Sequence, residues 1–282
     1  MIKDQGKRGS AMTHTKFRLI FSCILLAGLL QSCFLFDKKD KNDGSKEAST
    51  EEKAGRLAMF IGMDISGSYV KRPYFGDSLD FLSHYIYAHL KGYGKLEIPY
   101  TLFVGAIGGE KIANEPKTFY PIQTFQDKSI AEIRQKLVSI FPKNDKNVFT
   151  DFNAFFRQVA SFVQKKNLVL RPVSIVLVSD GIPDVPKKDG KHDYRTFDLS
   201  PLETLTRNIT IRLIYTTPEV ANNWQTKVKR NRVKVWTQDA TVMKDWQDPH
   251  ILIPGIPLEQ QTKFFTWIKD NVDFNVRLIR VD

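Results

Sequence analysis

From Leu57 onward the chain alternates short apolar runs with longer amphipathic stretches. Leu57 to Met63, Tyr100 to Ile107 and Val173 to Val178 are such runs, each bounded by turn-forming positions. Runs this short, apolar on both sides, read as strands covered on both faces of a parallel sheet. Ile209 to Tyr215 and Val233 to Trp236 read the same way, and a last strand-like run covers 274–281. In the intervening stretches apolar residues recur every three or four positions. Leu79, Leu82, Ile86 and Leu90 share one helical face, and Ile130, Ile133, Leu137 and Ile140 share another, opened by a capping box of Ser129 and Glu132. Phe152, Phe155, Phe156, Val159, Phe162 and Val163 form a third stripe, which at this spacing is a core face and not a ring-lined binding site. Further helices are expected over about 218–229 and 258–271, the second carrying Phe264, Phe265 and Ile268. Strands alternating with helices of this length predict an α/β fold: a doubly wound, mostly parallel sheet with helices on both faces. In such sheets ligands gather at the carboxyl ends of the strands, where the strand order reverses.

The first 55 residues follow other rules. A basic start leads into the apolar run Phe17 to Leu30, too short to span a bilayer comfortably, which ends in Leu30-Gln31-Ser32-Cys33. That ending resembles the bacterial lipobox, so residues 1–32 are expected to be a lipoprotein signal peptide and Cys33 the lipidated first residue of the mature chain. The alternatives are a plain signal peptide or a short amino-terminal anchor. Cys23 and Cys33 are the two cysteines of the chain, so maturation at Cys33 leaves no internal disulfide and stability rests on the core. Residues 37–55 mix both charges with Gly, Ser and Thr and hold no large apolar side chain. They cannot bury enough to fold, and with Cys33 make a flexible charged tether, residues 33–55, ahead of a domain over 56–282. Phe34 after the cysteine, where Asp would favour inner-membrane retention, points to an outer-membrane address in a bacterial cell envelope, facing the periplasm or the cell surface.

Formal net charge is +11 and stays positive when the basic leader is set aside. A basic surface favours acidic partners or anionic headgroups. Nucleic acid is not expected, because no aromatic-plus-basic motif accompanies the charge. The five histidines, His14, His84, His89, His192 and His250, show no ligand spacing, and His84 and His89 are expected on a helix surface. No P-loop, G-x-S-x-G elbow, H-E-x-x-H or C-x-x-C occurs.

Chemistry concentrates where strands end. The first run closes in Asp64-Ile65-Ser66-Gly67-Ser68, one carboxylate and two hydroxyls on a tight loop; Val173 to Val178 closes in Ser179-Asp180-Gly181; and Thr150 stands directly before the Phe-rich helix. These are hard oxygen donors, suited to Mg²⁺, Mn²⁺ or Ca²⁺ and poorly suited to zinc. D-x-S-x-S after the first strand, a Thr before a helix and an Asp after a later strand together resemble the metal-ion-dependent adhesion site of von Willebrand factor type A (vWA) domains, over about residues 57–272. The resemblance implies that Ser66, Ser68 and Thr150 ligate a cation through their hydroxyls, with Asp64 and Asp180 acting directly or through water. An open position would then accept an acidic side chain from a partner protein. Asp151 and Asp184 are candidates for outer contacts, although Asp151 also suits a helix start. The sequence departs from the family in Asn147-Val148-Phe149 before the Thr and in the extra run 274–281. The loops 69–76 and 182–200 leave the same edge and bring Lys71, Arg72, Lys187, Lys188, Lys191 and Arg195.

Two other readings stay open. A carboxylate ending a first strand is also how haloacid-dehalogenase-like phosphatases present their nucleophile, but that chemistry needs a second Asp two residues on, where Ser66 stands. A metal-dependent hydrolase is therefore the weaker alternative, and the chain is read as a binding module and not an enzyme. The other alternative is a metal-free scaffold of an envelope complex.

Overall fold

The computed structural model describes residues 55–108, 118–143, 150–183, 192–205 and 208–274. Six strands form one sheet in the order β3-β2-β1-β4-β5-β6: β1 (Ala58–Asp64), β2 (Thr101–Ile107), β3 (Tyr120–Pro121), β4 (Val173–Val178), β5 (Ile209–Thr216) and β6 (Val233–Asp239). All pairings are parallel except the short β2–β3 contact. Every residue of β1 and β4 is buried, as their apolar runs demand of strands covered on both sides. The expected α/β class, with its mostly parallel, doubly wound sheet, is the class observed.

Alternation along β1 sends its side chains into two cores. Met59, Ile61 and Met63 enter one, with α1 (Gly67–Val70), α2 (Phe75–Lys91), α3 (Ile130–Ile140), α7 (Ala240–Lys244) and α8 (Thr262–Asn271). Ala58 and Phe60 enter the other, with α4 (Phe152–Lys165), α5 (Ser200–Glu203) and α6 (Pro218–Thr226). The Ser129–Glu132 capping box forms as expected at the start of α3. The Phe stripe packs as expected too: Phe152, Phe155, Phe156, Val159 and Val163 are buried, and Phe162 lies half-buried against Phe103.

Packing between β1 and α4 leaves no spare volume at Gly62, where a Cβ would come within 2.7 Å of the Phe155 ring and 2.8 Å of Ile107. Gly62→Ala should therefore cost about 1–3 kcal/mol by overpacking, read as a lower urea midpoint with unchanged slope.

Several expectations needed correction. His89 is not on a surface but buried at 2 % exposure, and His84 is half-buried against Trp246 and Phe264. Helix α2 is covered from its flanks as well as its base, so its polar-looking positions are also enclosed. The 69–76 loop begins as a helix, because Ser66 caps a turn that buries Tyr69 and Val70. The helix expected over 258–271 starts at Thr262. Gln261 breaks it with a non-helical backbone, its side-chain amide bonding both the N–H and the carbonyl of Ile253 at 2.9 and 2.7 Å. The helix expected over 218–229 ends at Thr226. Of the 274–281 run, Phe274 stacks on Trp236 of β6 with ring centroids 5.5 Å apart, and the remainder lies outside the described residues.

Candidate metal centre

The strand order itself marks a position. The chain steps outward from β1 to β2 and β3, then crosses back to lay β4 on the other side of β1. In open α/β sheets ligands gather at such a reversal, here at the carboxyl ends of β1 and β4. Asp64 is the last residue of β1, and Ser179 and Asp180 follow directly on β4.

Asp64 is fully buried and both of its oxygens are engaged. Oδ1 accepts the Ser66 N–H at 2.8 Å, and Oδ2 accepts the Ser179 hydroxyl at 2.6 Å. The first bond folds the chain back in an Asx turn, which sets Ser66 as the cap of α1. Ser66 Oγ accepts the Tyr69 N–H at 3.4 Å and lies 3.1 Å from Ser68 Oγ. One carboxylate and two hydroxyls are thus brought together by local geometry alone.

Asp180 is held from the other strand. Its Oδ1 accepts the Ile182 N–H at 3.2 Å, and its Oδ2 lies 3.5 Å from the guanidinium of Arg72. Gly181 adopts a positive φ of 74°, and a Cβ there would meet Leu213 at 2.7 Å. Its N–H bonds Ser179 Oγ at 2.9 Å, and its carbonyl accepts the indole N–H of Trp224 at 2.8 Å. The turn after β4 is therefore pinned from α6, which fixes the backbone at Asp180.

Burial and then the neighbouring Asp180 charge push the Asp64 carboxyl from 3.8 up to about 7. Burial also lifts Asp180, against the Ile182 N–H and the Arg72 guanidinium, which pull it down. The Asp180 charge raises the affinity of Asp64 for a proton, and a divalent cation between the two would relieve that repulsion. Among the described residues no group of three or more His, Cys, Asp or Glu gathers. The donor set is instead two carboxylates with hydroxyls, which fits a hard cation.

Thr150 is buried at the amino end of α4, directly before Asp151. Asp151 acts as the helix cap, accepting the Ala154 N–H at 2.8 Å, so the helix-start reading accounts for it. Asp184, Lys187, Lys188 and Lys191 lie outside the described residues. Of the basic rim, Arg72 turns inward to Asp180, while Arg195 is paired with Asp193 at 2.9 Å. The residue that sequence reasoning passed over is Ser179. Its hydroxyl ties Asp64 to the turn of Asp180, and its place beside an acid at a strand end was the available signal.

No family model matches the chain, and no curated protein sequence does. Among solved structures the chain is similar to the VWA domain of SpRpn10, with 13% identity over 68% of this chain and 95% of that one, at a TM-score of 0.37. It is also similar to the pilus adhesin SpaC from Lactobacillus rhamnosus GG, with 9% identity over 78% of this chain and a TM-score of 0.43. A third is proximal thread matrix protein 1 from the mussel byssus, with 11% identity over 67% of this chain and a TM-score of 0.41. The chain spans 31% of the adhesin and 46% of the byssus protein, less than half of each. Similarity at this level concerns the arrangement of strands and helices and not the chemistry at their ends.

Proposed function

We propose that the chain is a vWA-like protein-binding module, anchored through lipid on Cys33 in a bacterial envelope, that grips its partner through a divalent cation. The observation that carries this reading is the shared burial of Asp64 and Asp180 at the point where strand order reverses, where burial and the Asp180 charge push the Asp64 carboxyl up to about 7. Asp64, Ser66, Ser68, Thr150 and Asp180 would hold Mg²⁺, or Mn²⁺ or Ca²⁺. The cation would supply an electrophilic position for a partner's carboxylate. The chain's own part is to keep the hydroxyls of Ser66 and Ser68 3.1 Å apart and to fix Asp64 through Ser66 and Ser179. With Ser66 where a hydrolase would need an acid, the site is set to bind and not to move protons.

Calorimetric titration tests this directly. Mg²⁺ or Mn²⁺ should bind at one site with release of a proton below about pH 7, since Asp64 must ionise to take part. No heat up to millimolar metal would sink the reading. One observation favours the metal-free scaffold: the Arg72 guanidinium stands on Asp180 and supplies a positive charge of its own. Under the cation reading Arg72→Ala should tighten metal binding, because a competing charge leaves; under the scaffold reading neither form binds metal.

A further inference from the structure

The amino ends of the parallel strands form the pole opposite the carboxylates. The polypeptide reaches the domain there: Leu57 leads into β1, and the strand then runs about 20 Å to Asp64. Around this entry the Leu57 carbonyl accepts the Tyr100 N–H at 2.9 Å, and Arg171 reaches the Gly55 carbonyl at 3.4 Å. The Arg171 guanidinium lies over the Tyr100 ring, 3.2 Å from its centroid. Beside it, in the turn between α4 and β4, Leu170 stands 97% exposed, with Tyr100 at 50% and Ile98 at 40%. The segments feeding β1, β2, β4 and β6 also carry Arg56, Lys95, Lys166, Lys229 and Arg232, all exposed, against the exposed acids Glu97 and Asp127.

An apolar tip set among bases is the chemistry of an anionic bilayer surface. The leucine enters the boundary between headgroups and acyl chains, and each base close to the surface strengthens binding about fivefold. The same pole is where residues 33–54 join the domain, so a lipid on Cys33 would hold it near headgroups at high local concentration. We infer that this pole docks on the anionic membrane that the anchor occupies, which turns Asp64 and Asp180 outward toward a partner. The inference rests on the anchoring reading for its membrane, but the surface itself binds lipid without the anchor.

The test uses the mature chain from residue 33 carrying Cys33→Ser, which retains the buried core of the described residues, Ala58 to Val272. It should sediment with vesicles of phosphatidylglycerol and phosphatidylcholine, stay in solution with phosphatidylcholine alone, and be released by high salt. Leu170→Asp, and separately the double reversal Lys166→Glu with Lys229→Glu, should each weaken vesicle binding at least about tenfold. Both alter exposed positions, so circular dichroism should match the parent. Failure to sediment, equal binding to neutral vesicles, or indifference to both variants would overturn the proposal. Palmitate labelling of the full chain against its Cys33→Ser form tests the anchor separately. Absence of label removes the anchor and leaves the vesicle result to decide the pole.

Discussion

Asp64→Asn should abolish divalent-cation binding while leaving the domain folded. Asparagine keeps the shape and the acceptor for the Ser66 N–H, which holds the turn into α1 at 2.8 Å. What it removes is the charge. Losing an outer partner of a metal typically weakens affinity by about 10–100-fold, and losing a carboxylate from the centre itself should exceed that range. Magnesium at a hundred times its Kd should add about 2.7 kcal/mol to the wild type and nothing to the variant. Thermal melts with and without chelator read this difference.

The same carboxylate sets a pH dependence whose sign is definite. Its folded pKa of about 7 lies above the ordinary 3.8, so between those values the folded state holds a proton that the unfolded state has released. This group's contribution to metal-free stability is therefore greatest at the acid end of the window and is lost as pH rises through it. Cation binding runs the other way. Apparent affinity should be about tenfold weaker at pH 6 than at pH 8, because the cation must displace the proton. Calorimetry at the two pH values, and its loss in Asp64→Asn, would check the assignment. An affinity independent of pH would mean that Asp64 takes no part.

The second large effect is expected far from this site. Asp273, just past α8, is buried at 7% exposure. Its Oδ1 accepts the Tyr85 hydroxyl at 2.7 Å, and its Oδ2 lies 3.4 Å from Nε2 of His89, close but without hydrogen-bond alignment. Its backbone carbonyl accepts from Arg212 at 3.0 Å. These contacts fasten the end of α8 to α2 and to the sheet. Asp273→Ala leaves Tyr85 and His89 buried without their partner and should cost about 3–5 kcal/mol in denaturant unfolding. Asp273→Asn, which keeps an acceptor for Tyr85, should cost about 1–3 kcal/mol.

Burial alone would raise the Asp273 carboxyl, but the neighbouring His89, with Arg212 and the Tyr85 hydroxyl, outweighs it and leaves the group below its usual range. A depressed acid contributes stability above its unfolded pKa and loses it as pH falls through the folded value. Wild type should therefore unfold more steeply in acid, below about pH 4, than Asp273→Asn. Equal acid limbs for the two proteins would show that the carboxylate is not ionised in the folded state.

Much of this architecture is written in local patterns. The largely apolar runs Ala58–Met63 and Val173–Val178 are satisfied by strands covered on both faces, and the three-and-four spacing from Phe152 to Val163 by a helix buried along one side. The Ser129–Glu132 cap and the Asp64-to-Ser66 turn follow from bonds within a few residues, so sequence spacing is enough to read them. Pairings across the fold had no such signature. Ser179 on Asp64 spans 115 positions, and Arg72 on Asp180 spans 108. His89 looked like a surface residue because helical periodicity reports one buried face and says nothing of flanking helices. By itself the sequence determined which segments become strands and helices and which end in oxygen donors, since those choices are local. Only the tertiary structure decided that β4 lies beside β1, which joins two distant carboxylates in one buried volume, lifts Asp64 toward neutral pH, and puts the basic, leucine-tipped pole at the opposite end.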